Sequence, residues 1–356
     1  MKIQTIKVTN LAPNSELGQT QPVHAVVQIQ ADDGAVGISR AYASTSALIA
    51  DDLSPLLVGA NPLNGERLWE KVYRLVTTGG APARLGISAL GAIDIALWDL
   101  KGKILGCSVH RLLGGFRDKI PAYADGGMFG RGPDGHAAWC ARHVERGFRA
   151  VKYHVMGERP EAIVETARRI REVIGTQIDL MIDVHKAWDP WLAVATARRL
   201  EPYDIYWLEE PVSWDDQVGG MAILSTHSRI PIAAGESECT LHACRDLVER
   251  AGIRVLQTDI ISAGGYTAWQ KLAALAQAHH VVVAPHGASF PELSAPLVAA
   301  IPNGLNVSAF PPGEPIELWS RLYREPLDLR EGTIYLRDAP GLGLEFDETY
   351  LAKHRT

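Results

Sequence analysis

Four short apolar runs in the middle of the chain, IDLMIDV (178–184), IYWLEEP (205–211), IPIAAGE (230–236) and IRVLQTD (253–259), each end on or beside an acid and lead into a helical stretch. Near-continuous apolarity marks strands buried on both faces, and alternation with helices marks parallel strands joined by crossovers. The same rhythm extends outward, with IPAYA (120–124) and FRAVKYH (148–154) before and HVVVAPH (280–286) and LNVSAF (305–310) after. Eight is the number of strands a closed parallel barrel needs, whereas a sandwich would show alternating strands joined by short turns. An α/β barrel is therefore expected over residues 116–315.

The flanks read differently. IQTIKVTN (3–10) and HAVVQIQADDGAVGISRAYA (24–43), with Asp33-Gly34 as turn chemistry, predict a small antiparallel sheet. From about Thr45 the period becomes helical, and ALGAIDIALWDLKGKIL (89–105) predicts an apolar-faced helix stopping near Gly106. Residues 1–115 thus read as an α+β domain, and the strand-like tail 316–356 is expected to pack back on it.

Composition narrows the function. The 356 residues are 47% hydrophobic and 21% charged, as in globular proteins, and the net charge of −6 offers no basic face to nucleic acid. The opening MKIQTIKVTN lacks the apolar core of a signal peptide, and no run approaches the roughly 18 apolar residues of a membrane helix, so a cytoplasmic protein without membrane partners is expected. Cys107, Cys140, Cys239 and Cys244 form no CxxC pair or disulfide-framework spacing.

The acids after the strands carry the chemistry. Asp183, Glu209 (with Glu210 beside it), Glu236 and Asp259 follow one another at 26, 27 and 23 residues, about one strand-helix unit each. Successive strand ends of a barrel meet on one face, where three carboxylates would repel unless a hard cation such as Mg²⁺ neutralised them. His286 follows Asp259 by 27 residues, an interval that puts imidazole and carboxylate on neighbouring strand ends. A carboxylate on the far ring nitrogen fixes the tautomer and raises basicity.

With these motifs in place the chain resembles the mandelate racemase subgroup of the enolase superfamily over nearly its whole length. SALGAIDIALWDLKGKILGCSVHRLLGG (88–115) resembles the helix closing that subgroup's capping domain, and MIDVHKAW (181–188), YWLEEPV (206–212) and AAGESE (233–238) resemble its metal-ligand strands. LQTDIISAGG (256–265) and VAPHG (283–287) resemble its Asp-His dyad, and PGLGLEFDE (340–348) its tail. The resemblance implies an α+β capping domain, completed by the tail, over a modified TIM barrel, (β/α)₇β. It also implies Asp183, Glu209 and Glu236 as Mg²⁺ ligands, Asp259 and His286 as the catalytic dyad, a small carboxylate substrate, and a homo-oligomer.

Three features bear on the reaction. In FRAVKYH, strand alternation puts Lys152 and His154 on one face, Lys152 as a second cation for an enediolate and His154 where racemases of the subgroup carry a lysine. His185, two positions past Asp183, resembles the Asp-x-His of galactonate- and mannonate-type sugar acid dehydratases, in which that histidine protonates the departing hydroxyl. A Glu that many members carry on the eighth strand is missing: Ser308 or Ala309 stands there, with Glu314 and Glu317 in the following loop. Substrate contacts are expected from the capping loops 12–22 and 40–46, with Arg40, Tyr42 and His24 as hydroxyl-binding groups and Glu210 as a further candidate. The preferred reading is a Mg²⁺-dependent sugar acid dehydratase. A racemase or epimerase, a non-catalytic binding relative and, more weakly, a cycloisomerase are the alternatives.

Overall fold

The structure is a computed structural model that describes residues 1–13, 21–79, 82–127, 132–155, 157–287, 290–314 and 321–356. Strands β1 (Ile3–Asn10), β2 (His24–Ala31) and β3 (Val36–Tyr42) form the expected antiparallel sheet. Its second turn uses Gly34 at φ +90°, and the Asp33 carboxylate accepts from the Ala35 amide at 3.0 Å. Four helices follow: α1 (Ser54–Leu57), α2 (Gly65–Thr78), α3 (Ala83–Leu105) and α4 (Val109–Leu112). Helix α3 ends at Gly106, whose φ of +63° is the left-handed cap that glycine adopts without strain.

Strands β4 (Lys119–Gly127), β5 (Ala150–His154), β6 (Asp179–Asp183), β7 (Ile205–Glu209), β8 (Ile232–Ala234), β9 (Val255–Leu256), β10 (Val282–Val283) and β11 (Val307–Ala309) take up the eight apolar runs. Between them lie α5 (Gly132–Glu145), α6 (Pro160–Ile174), α7 (Pro190–Leu200), α8 (Gln217–His227), α9 (Leu241–Arg250), α10 (Gly265–Ala278) and α11 (Pro291–Ala300), which makes eight strands and seven α-helices among the described residues. Strands β4 to β10 pair in parallel and in order, and β11 pairs parallel with β4. The circuit is completed where Val283 donates to the Asn303 carbonyl and accepts from the Leu305 amide, each at 2.9 Å. Tyr123, Ala150, Met181, Trp207, Ala233, Val255 and Ala284 form a separate buried cluster drawn from successive staves, large beside small, which fills the barrel's interior.

Cap and barrel meet along α3. A Cβ at Gly91 would lie 2.0 Å from the Ile261 carbonyl, so only glycine lets the helix approach the loop after β9. Three residues on, the buried Asp94 carboxylate accepts from the Thr267 amide at 2.9 Å and its hydroxyl at 2.6 Å.

The tail divides its contacts. Strands β12 (Leu329–Arg330) and β13 (Thr333–Tyr335) form a hairpin that extends the barrel sheet antiparallel to β4 rather than lying on the first domain. Beyond it the chain does return to the cap, with the Leu342 amide on Asp99 at 2.7 Å and the Thr356 amide on the Asn10 carbonyl at 3.1 Å after the last helix, α12 (Glu348–His354). All four cysteines are free thiols, and no helix among the described residues is long and apolar enough to cross a membrane.

Candidate active site

The C-terminal ends of the barrel strands collect the charged groups. Register pairs His154 with Asp183 and Asp183 with Glu209, so β5, β6 and β7 deliver these side chains at one level. Two residues below His154 on the same face, the buried Lys152 ammonium lies 2.9 Å from Glu209, 3.3 Å from Asp125 and 3.8 Å from Asp183. Burial works against that charge, yet the surrounding carboxylates outweigh it and hold Lys152 protonated well above the usual range. Glu209 also accepts from Trp207 Nε1 at 3.3 Å and from Gln257 Nε2 at 3.0 Å.

On this side His154 is fully engaged. Its Nε2 lies 2.6 Å from Asp125, and its Nδ1 lies 3.0 Å from His185 Nε2 and 3.3 Å from Asp183. Burial depresses its basicity, but Asp125 and Asp183 overcome that and push the imidazole up to about 9. His185 stacks on it at 5.1 Å between ring centroids and keeps 40% of its side chain exposed to the barrel mouth. Both His185 (φ +51°) and Lys186 (φ +64°) adopt left-handed backbone, a strain of about 1–3 kcal/mol each for residues with a Cβ. That turn brings the Lys186 ammonium onto Glu236.

Across the barrel, His286 stands between two acids, Nε2 3.1 Å from Glu236 and Nδ1 3.5 Å from Asp259, with 38% of its side chain exposed. Burial lowers its basicity while Asp259 and Glu236 raise it, with a net lift to about 9. Asp259 is anchored through Oδ1, which accepts from the Ile261 and Ser262 amides at 2.9 and 2.8 Å.

The structure gathers Asp183, Glu209, Glu236, Asp259, Lys152, His154, His185 and His286 around one barrel end, and the polar groups of the expected substrate contacts are engaged by protein partners beside it. Arg40 is buried, paired with Glu292 at 3.2 Å and stacked over Phe290 at 4.3 Å, so it does not face the mouth as a hydroxyl ligand. His24 is also buried, edge-on to Phe290 at 5.5 Å, and burial lowers its basicity to about 3. Tyr42 donates to Asp259 Oδ2 at 2.9 Å. Glu210 is fully buried, accepts from the Gly235 and Glu236 amides at 2.9 and 3.2 Å, and is pushed up to about 7 first by burial and then by Glu236. These bonds support the backbone that carries Glu236.

Ser308, on β11, donates to Asp125 Oδ2 at 2.6 Å. Glu314 is held on the outer helix α5 by Trp139 at 2.9 Å and His143 at 3.2 Å, which turns it away from the site. Glu317, and residues 14–20 of the first capping loop, lie outside the described residues. Sequence reading missed Asp125, although it follows IPAYA directly, as the other acids follow their strands. It also missed Lys186, next to His185, and Arg84 of α3, which donates to the Ser237 and Glu236 carbonyls at 2.9 and 3.0 Å.

The donor chemistry suits a hard cation. Asp125, Asp183, Glu209, Glu236 and Asp259 collect at this barrel end with Lys152 and Lys186 as the ammonium groups among these contacts, five carboxylates to two ammoniums. The expected oxygen set of Asp183, Glu209 and Glu236 is not drawn into one tight cluster, because Lys152 bridges the first two and Lys186 takes the third. Among the described residues, His154, Asp183 and His185 bring ligand atoms within 4.8 Å of one another. In this trio His154 Nε2 lies 2.6 Å from Asp125 and its Nδ1 3.3 Å from Asp183. By donor chemistry, the carboxylate oxygens of Asp183, Glu209 and Glu236 suit a hard cation.

Comparison with known proteins agrees with this architecture. Residues 7–114 match the family described as mandelate racemase / muconate lactonizing enzyme, N-terminal domain, and residues 136–350 match the enolase C-terminal domain-like family. The chain is 32% identical to a D-galactarolactone cycloisomerase of Agrobacterium fabrum over 93% of its own length and 91% of that protein. It is 29% identical to a D-mannonate dehydratase of Caulobacter vibrioides, over 92% of this chain and 90% of the relative. The crystal structure of an L-talarate dehydratase from a Polaromonas species, complexed with Mg and L-glucarate, superposes with a TM-score of 0.88 at 28% identity, covering 100% of this chain and 98% of that one.

Proposed function

Because the chain belongs to the mandelate racemase and muconate lactonizing enzyme family of the enolase superfamily, we propose that it is a Mg²⁺-dependent sugar acid dehydratase. The observation that carries this reading is the exposed His185 imidazole, which follows β6, while His286 follows β10, four staves away in a ring of eight. A base and an acid on opposing staves suit an anti elimination, in which the proton and the hydroxyl leave from opposite faces.

Mg²⁺ held by Asp183, Glu209 and Glu236 would supply positive charge against which the substrate carboxylate gains electron density. Lys152, fixed among three carboxylates at the floor of the site, adds a permanent positive charge on the same side. In its neutral form His286 removes the proton next to the carboxylate and becomes an imidazolium facing Asp259 and Glu236. His185, in its protonated form, gives its proton to the hydroxyl on the adjacent carbon as that C–O bond breaks, so water leaves, His185 is left neutral, and the enol product tautomerises to a 2-keto-3-deoxy acid. His154, gripped by Asp125, holds His185 by its Nε2.

The test is incubation of the Mg²⁺-loaded protein with a panel of aldonic and aldaric acids, assayed for 2-keto acids. The reading is abandoned if no acid yields one. Deuterium uptake at the α-carbon with inversion and no keto product would establish a racemase or epimerase instead. A cycloisomerase is the second reading, supported by the 32% identity to D-galactarolactone cycloisomerase, and consumption of a sugar acid lactone without water release would favour it. A non-catalytic relative would bind no divalent cation by calorimetry.

A further inference from the structure

The capping strand β3 sends two side chains from one face into the barrel. Residues i and i+2 of a strand share a face, and Arg40 and Tyr42 both point at the loops that carry the catalytic pair. Arg40 reaches Glu292 and Phe290 at the start of α11, in the loop after His286. Tyr42 reaches Asp259, in the loop after β9, and its ring meets Phe290 edge-on at 5.9 Å. The partner strand adds His24, paired in register with Tyr42 and edge-on to the same phenylalanine. The cap therefore touches both loops from a single strand edge.

The Tyr42 contact falls on the oxygen that matters. Asp259 Oδ1 is already committed to two backbone amides, so the only freedom left to the carboxylate is where Oδ2 lies. Oδ2 accepts from the Tyr42 hydroxyl at 2.9 Å and lies 3.5 Å from His286 Nδ1, at ion-pair rather than hydrogen-bond distance. The hydroxyl keeps its proton, since burial first and Asp259 second raise it well above the usual phenol range, so Tyr42 is always the donor in this bond.

We propose that Tyr42 is a positioning residue: its hydroxyl fixes Asp259 Oδ2 beside His286 Nδ1, so that the barrel's base is completed by the capping domain. The proposal rests on His286 as the base of the proposed reaction, and it adds that docking of the cap, besides shaping the cavity, sets the geometry of proton abstraction. The nearest alternative, a hydroxyl that binds substrate, is disfavoured because the Tyr42 donor is spent on Asp259.

Tyr42→Phe tests this, since the ring and its packing on Phe290 remain while the donor is lost. Steady-state kinetics on a turned-over sugar acid should show kcat lower by about 10- to 100-fold with KM within about 2-fold of the parent, and an unchanged melting temperature. A rise in KM at constant kcat would assign Tyr42 to substrate binding, a fall in melting temperature matching the activity loss would assign it to the fold, and unchanged kinetics would leave it idle; each overturns the proposal. Crystal structures of both proteins give a readout independent of turnover. Displacement of Asp259 Oδ2 or of the His286 ring by more than about 0.5 Å in the variant supports the proposal, and superposable side chains overturn it. If the parent protein turns over no sugar acid, the dehydratase reading fails, and the crystallographic comparison alone decides the role of Tyr42.

Discussion

Two carboxylate-imidazole pairs face each other across the barrel end, built from the same parts and held in opposite ways. Asp125 and His154 lie 2.6 Å apart, the imidazole is 6% exposed, and its second nitrogen is also taken, by His185 at 3.0 Å. Asp259 and His286 lie 3.5 Å apart, and the imidazole is 38% exposed, with Nε2 on Glu236. Both are lifted to about 9 by their acids against the pull of burial. Basicity thus does not separate reagent from scaffold, whereas access does. A ring with no free face holds others in place, and one with a free edge can meet a substrate.

The comparison breaks most readily at the exposed pair. His286→Asn should lower both α-proton exchange in D₂O and 2-keto acid formation by about 10³-fold or more with little change in stability, as loss of a general base does. Retention of exchange in that variant would mean the wrong pair has been named as the reagent.

At the buried pair the loss should be in stability. Asp125→Asn leaves Lys152 and His154 each short of a carboxylate and strands the Ser308 hydroxyl bond, so urea denaturation should show a loss of about 3–5 kcal/mol, the usual cost of removing one member of a buried charge network. A loss below about 1 kcal/mol would show that the pair is not an anchor.

Its pH signature has a definite sign. Because the folded protein holds the His154 proton up to about 9 against an ordinary 6.5, the folded state binds more protons between those values, and the stability the pair contributes is full below 6.5 and lost as pH rises through about 9. His154→Gln should therefore cost about 3 kcal/mol at pH 6 and progressively less toward pH 9.5, read from denaturation midpoints across that range. A gap independent of pH would contradict the protonated pair.

The smallest effect is also the most selective. His185→Asn removes the exposed imidazole that leans on His154, and should lower elimination by about 10²-fold while α-proton exchange stays within a few-fold of the parent. Equal loss of both would make His185 a scaffold too, and would move the site toward proton transfer without elimination.

Much of this molecule follows from periodicity. Eight buried runs spaced by helices make a barrel because parallel strands must be joined by crossovers and must bury both faces. Acids at the ends of five of these runs must then meet at one end of the barrel. Asp183, Glu209, Glu236, Asp259 and His286 were legible for that reason, and Asp125 obeys the same rule though no further motif flags it. The roles of Arg40, Tyr42 and Glu210 had no such local signature. Arg40 finds Glu292 252 residues away and Tyr42 finds Asp259 217 residues away, partners that only the docking of cap on barrel supplies, whereas Glu210 meets the Gly235 and Glu236 amides of the neighbouring stave. Lys186 shows the same limit at short range, because it is two left-handed residues after β6 that turn its ammonium onto Glu236. A strand's pattern specifies which face a side chain leaves from, and the partner it meets there is set by chain segments that local sequence does not see.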